Sequence, residues 1–241
     1  MIWFDSYYII LVLPTVIFAL IAQGIVKSTY RKYSSVPTSR GLTGKAVAEM
    51  ILQQAGIYDV PVEMTGGELS DHYDPSARVL RLSGSVFNGH SIAAIGVAAH
   101  ECGHAIQHQD GYAPLSIRNA IIPATRIGSN LSIPLILIGV IIGRLSSQGM
   151  ASDLSYYVIM GGIALFGLSV VFQLLTLPVE FNASRRALRI LGDGMYLTSE
   201  ELTGARKVLV AAALTYVAAL AQALANLLRL ILIYGGGRRR D

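Results

Sequence analysis

The segment from Tyr7 to Val26 carries no charged side chain, and the first charge beyond it is Lys27. About 20 mostly apolar residues are what an α-helix needs to cross a bilayer. Lipid offers the backbone no other hydrogen-bond partners, so such a segment is helical. Trp3, Phe4, Tyr7 and Tyr8 cluster at its start, where an interfacial aromatic belt would lie, and Pro14 predicts a kink. The residues before it hold only Asp5 and no basic n-region, so the segment reads as a retained anchor rather than a secretory signal. Composition agrees. Charged residues make up 14 % of the chain and hydrophobic residues 53 %, against roughly 25 % charged in an ordinary soluble domain. Disordered and ordinary soluble classes are thereby excluded. The single Cys102 excludes a disulfide framework and a multi-cysteine metal cluster. The net charge is only +4, and the basic residues lie near apolar segments or in a short tail, which argues against a nucleic-acid partner.

Residues 27–116 differ in character, holding all five histidines and eight of the fifteen acidic residues. Thr43 is placed to cap a short helix that Gly56 stops. Val60 to Met64 and Ala77 to Leu82 read as strands separated by Gly66-Gly67 and Asp74-Pro75 turns, the first an edge strand because of Pro61. Ser91 opens a helical run through His108. Apolar segments return at Ser132 to Ile142, with a start near Ala124 and Arg126 snorkelling, and at Tyr156 to Leu177. Thr198 with Glu201 forms a capping-box signature for a helix from about Glu200 to Ile233.

The expected fold is mostly α, with about four membrane helices and a small α+β unit on one side of the membrane. The expected plan is an anchor over 1–26, the α+β region over 27–116, a helical hairpin over 117–179, a helical region over 180–207, and a last membrane helix with a basic tail over 208–241.

His100-Glu101-Cys102-Gly103-His104 fits H-E-x-x-H. Histidines four apart share one helix face and can ligate one ion, while Glu101, rotated by about 100°, projects beside it as a general base. With this composition a shuffled chain carries the pattern about 0.2 % of the time, so chance is a poor explanation. A catalytic zinc of this kind takes a third protein ligand and keeps a fourth position for water. The candidates are His72, His90, His108 and Glu180. His108 lies about 12 Å along the helix from His100, too far for three rings to converge. Glu180 is favoured by topology, since two further spans return the chain to the side of His100 and His104. His72, in a turn, and Tyr73 are candidate transition-state hydrogen-bond donors.

The HECGH segment within Ala98 to Gln107, followed by Glu180-Phe-Asn-Ala-Ser184, resembles the YugP-like family of membrane zinc metallopeptidases. The Asp71-His-Tyr-Asp-Pro75 and Val79-Leu-Arg-Leu-Ser83 segments share in the resemblance, which covers nearly the whole chain. The chain is more distantly similar to HtpX-type gluzincins. That resemblance implies Zn2+ on His100, His104 and Glu180, with Glu101 as base. Ser184 departs from the HtpX pattern, which has aspartate there, so Asn182 or Asp193 becomes the expected support for the histidines. It also implies that the α+β unit is zincin-like and catalytic, and it leaves Val79 to Ser83 either as a strand that binds substrate by strand addition or as a core strand without substrate contact.

The expected activity is cleavage of membrane or membrane-adjacent proteins or peptides by zinc-activated water. The rival readings are a zinc-binding membrane scaffold or chaperone-like partner without turnover, a transporter, and a hydrolase of non-peptide amides. The middle spans lack paired ionisable residues at mid-membrane depth, which speaks against transport. The expected partners are protein substrates and the lipid bilayer, with an oligomeric or regulatory membrane partner left open. Twelve basic residues fall on the catalytic side, from Lys27 to Lys207, and predict a cytoplasmic site. The Arg238 to Arg240 tail opposes that orientation if the last helix crosses.

Overall fold

The computed structural model describes residues 5–145 and 150–235. Trp3 and Phe4, the turn residues Ser146, Ser147 and Gln148, and the arginine tail lie outside them. Four helices are long and apolar enough to cross a membrane, over Tyr8–Ser34, Ala113–Leu145, Asp153–Asp193 and Ser199–Tyr234. The chain divides into two compact units.

The first unit comprises 1–21, 117–176 and 216–241. The first span opens as a π-helical stretch, Tyr8–Val12, and continues as α1, Leu13–Ser34. Pro14 has no N–H for the preceding turn, and the widened turn in front of it absorbs that loss. The second and third spans belong to α5, Ala113–Leu145, and α6, Met150–Asp193. Both are longer than the apolar segments alone suggest. Small residues bring α5 and α6 together. A Cβ on Gly162 would stand 2.8 Å from the Ser132 carbonyl, and one on Gly139 3.1 Å from the Ser155 carbonyl. Ser155 Oγ donates to the Gly139 carbonyl at 2.7 Å. Such close approach is how helices associate in lipid. The last helix, α7, runs unbroken from Ser199 to Tyr234. Near its end Arg229 Nε donates to Asp5 Oδ2 at 3.0 Å and the guanidinium stacks 5.5 Å from the Tyr8 ring centroid. The end of α7 therefore lies beside the start of the first span.

The second unit comprises 22–116 and 177–215. Thr43 caps α2, Gly44–Gln54, by accepting from Ala46 N, and Gly56 ends the connection at φ +71°. Three strands follow, β1 (Val62–Thr65), β2 (His72–Asp74) and β3 (Val79–Ser83), in the order β1-β3-β2. β1 runs parallel to β3 and β2 antiparallel to it. β2 is a strand where a turn was expected. Its flanks are fixed by carboxylates: Asp71 accepts from Ser83 N at 2.7 Å, and Asp74 accepts from Ser76 N and Ala77 N. Because β3 is paired on both sides, strand addition along Val79 to Ser83 has no free edge to use, and of the two alternatives the core strand is the one the fold shows.

A short helix, α3 (Gly84–Phe87), leads to α4 (Ile92–Gln109), capped by Ser91, which accepts from Ala94 N at 3.2 Å. The core gathers Val47 and Ile51 of α2, Leu80 and Leu82 of β3, Ile95 and Cys102 of α4, and Leu191 of α6, each almost fully buried. Burying a side chain of this size stabilises by roughly 1.5–3 kcal/mol. The capping box of α7 forms as its spacing predicts, with Glu201 accepting from Thr198 N at 2.8 Å and Thr198 Oγ1 accepting from Glu201 N at 3.3 Å.

Candidate metal centre

His100 and His104 project from one face of α4 with ring centroids 4.8 Å apart and planes nearly perpendicular. Glu180 comes from the last part of α6, a helix continuous with the third span rather than the separate helix expected there. Its Oε2 lies 3.3 Å from His100 Nε2 and 3.6 Å from His104 Nε2. One ligand atom from each of the three falls within 4.8 Å of the others. At Zn–N and Zn–O lengths of about 2.0–2.1 Å, tetrahedral ligands stand about 3.3–3.4 Å apart. The two histidine–carboxylate separations match that edge length, and two imidazoles with one carboxylate is a zinc donor set that leaves a fourth position. The residues fit the ion.

Gly103 makes the convergence sterically feasible. A Cβ there would meet the Ala183 carbonyl oxygen at 2.7 Å, so only glycine lets α4 approach the turn of α6 that carries Glu180. Cys102 points the other way into the core, with Sγ 3.6 Å from the Ala48 carbonyl, and burial pushes its thiol pKa far up. It is an inert packing residue.

Each histidine is fixed from behind. Ser184 Oγ lies 3.1 Å from His100 Nδ1, so the serine itself fills the place where aspartate stands in the HtpX pattern. Gln107, fully buried, accepts from His104 Nδ1 at 3.0 Å. Its amide then donates to the Val179 carbonyl at 2.8 Å and to Asn182 Oδ1 at 3.0 Å. Arg186 donates to the same Asn182 oxygen and pairs with Asp110. With both Nδ1 atoms hydrogen-bonded from behind, both Nε2 atoms are left to face Glu180. Of the expected supports, Asn182 takes part through Gln107, and Ser184 rather than Asp193 serves His100. Nothing in the spacing singled out Gln107, because a glutamine on a helix has no signature until its neighbours are known.

Glu101 is 8 % exposed, and its Oε2 accepts the Tyr73 backbone N–H at 3.1 Å. The Tyr73 hydroxyl and His108 Nδ1 stand 2.8 Å apart, which holds His108 against β2 instead of the cluster. Burial raises the Tyr73 phenol pKa above its ordinary value, so it remains protonated. His72 is exposed and its Nδ1 donates to the Ser70 carbonyl. His90 is exposed in the loop before α4, and its carbonyl accepts from Thr38 N. Among the described residues, only His100, His104 and Glu180 form a group able to hold a metal ion. For His104, burial disfavours the imidazolium, but the Glu180 hydrogen bond and the charges of Glu101 and Glu180 outweigh it, leaving the pKa raised.

An HExxH helix joined by a glutamate from a later helix supplies a donor set suited to a catalytic zinc. Residues 8–235 match the family described as "Putative neutral zinc metallopeptidase", and the chain belongs to that family. A relative in Bacillus subtilis (strain 168), "Putative membrane protease YugP", is 48 % identical over 217 residues, covering 90 % of this chain and 92 % of the relative. No solved structure matches. Family and span pattern together make this a membrane protein of the zinc metallopeptidase class.

Proposed function

We propose that the chain is a membrane metalloendopeptidase in which His100, His104 and Glu180 hold zinc and Glu101 is the general base. The observation that carries this reading is the convergence of the three ligand atoms within 4.8 Å, with a buried carboxylate one residue from the first histidine. Zinc bound there supplies a Lewis acid that polarises a scissile carbonyl and lowers the pKa of water toward ~7. Glu101 takes the proton from the attacking water and returns it to the leaving amine. The Tyr73 N–H fixes the direction of that carboxylate.

The outer edge of β2, rather than β3, is where an extended substrate segment would add. It is unpaired by the sheet and faces Glu101 through Tyr73 N–H. A donor to the developing oxyanion is required. Both expected donors are engaged in this structure, His72 Nδ1 with the Ser70 carbonyl and the Tyr73 hydroxyl with His108 Nδ1. Substrates are membrane or membrane-adjacent proteins. The site faces the cytoplasm, a reading supported by Lys27, Arg31 and Lys32 at the end of α1 and Arg206 and Lys207 near the start of α7.

The test is Glu101→Gln in the full chain, assayed on an unstructured protein substrate. Zinc should stay while cleavage falls by about 10²–10⁴. A Glu101→Gln chain that cleaves as wild type refutes the mechanism. One that fully complements a deletion strain while cleaving nothing favours a zinc-binding scaffold.

A further inference from the structure

A cavity of about 1190 Å³ opens between the last turns of α1, the loop before β2 and the residues leading into α4. That is above the roughly 300–1,000 Å³ of an ordinary small-molecule site. None of His100, Glu101, His104 or Glu180 lines it, so it is distinct from the metal centre. Its α1 wall is one helix face, on which Val26, Lys27, Tyr30 and Arg31 follow helical spacing. Lys27 and Arg31 stand one turn apart, and among the described residues neither is in an ion pair. Asn88 and His90 line the facing wall, and Glu68 is the one acidic residue among the described lining.

The depth of these cations is set by the helix that carries them. About 28 Å of helix separates Tyr8 from Lys27 at 1.5 Å per residue. That is close to the ~30 Å hydrocarbon core. When the apolar stretch of α1 fills the core, Lys27 stands at the level of the headgroup phosphates and Arg31 about 6 Å further out. The same end of α1 carries a second, smaller cavity of about 510 Å³ on another face, lined by Lys32, Arg206 and Lys207. The local field is therefore positive, as at a surface that selects anionic lipid.

We propose that the larger cavity holds the headgroup of an anionic phospholipid, with its phosphodiester between Lys27 and Arg31 and its glycerol side against Val26. The Tyr30 hydroxyl is a third donor on the same face. A lipid is favoured over a free phosphate because Glu68 opposes a doubly charged ion. It is favoured over an acidic peptide because the cations sit at headgroup depth.

Native mass spectrometry of the full chain in detergent tests this. The protein is titrated with phosphatidylglycerol or phosphatidylcholine of matched acyl chains. One phosphatidylglycerol should bind about 10- to 30-fold more tightly than phosphatidylcholine. The double variant Lys27→Gln/Arg31→Gln should lose that preference while its zinc content is unchanged. Both side chains are exposed, so the core is untouched, and Lys27→Arg/Arg31→Lys should retain the preference. Equal binding of the two lipids by wild type, or a preference that survives in the Gln variant, overturns the proposal. Displacement of phosphatidylglycerol by millimolar inorganic phosphate, or by an acidic peptide, overturns it in favour of that ligand.

Discussion

The side-chain amide of Gln107 donates to the carbonyl of Val179 at 2.8 Å, one residue before Glu180. The same side chain accepts from His104. One buried glutamine thus sets the ring of one proposed ligand and anchors the helical turn of another.

Gln107→Ala takes the acceptor from His104 Nδ1 and a donor from the Val179 carbonyl in a buried site, while Asn182 Oδ1 keeps its Arg186 partner. Zinc affinity should fall about 10- to 100-fold, measured by chelator competition. Gln107→Glu should do no better, because it sets a carboxylate oxygen against the Val179 carbonyl.

Ser184→Ala removes the acceptor for His100 Nδ1. Zinc affinity should fall by about tenfold or more. Ser184→Asp should hold or exceed wild-type affinity, since a carboxylate accepts the imidazole N–H more strongly than a hydroxyl. Equal affinities across wild type and both variants would remove Ser184 from the account.

Gly103→Ala adds a methyl group where the Ala183 carbonyl already stands 2.7 Å away. The helices must separate, at about 1–3 kcal/mol. The thermal midpoint of the detergent-solubilised chain should drop, and zinc should be lost with it, although no ligand has changed.

The pKa of His104 is raised above 6.5 in the metal-free fold. Its contribution to metal-free stability is complete below 6.5 and disappears as pH rises through the raised value. Zinc needs the neutral ring, so proton and metal compete. Apparent zinc affinity, measured by chelator competition, should begin to weaken on acidification while the pH is still above 6.5. An apparent affinity that is flat down to pH 6 would contradict this.

The parts of the fold with local signals were legible in the residues. Ser91, Thr43 and Thr198 with Glu201 all cap helices where their spacing places them. The HExxH face and the return of Glu180 to it follow from helical period and span parity. What escaped depends on distant partners. β2 is only three residues long, too short to show alternation, and exists because β3 lies beside it. The polar stretch from Glu180 to Lys207 read as a break after the third span, and its first part, to Asp193, shows otherwise. That part is a continuation of α6, because α4 packs on that turn through Gly103 and satisfies its polar groups through Gln107 and Ser184.

The most direct test of the central claim is zinc per chain in detergent-purified protein, wild type beside Glu180→Ala. The geometry predicts near one zinc in wild type and a large loss in the variant. Undiminished zinc in Glu180→Ala would place the third ligand elsewhere, and wild type that takes up no zinc after supplementation would contradict the site itself.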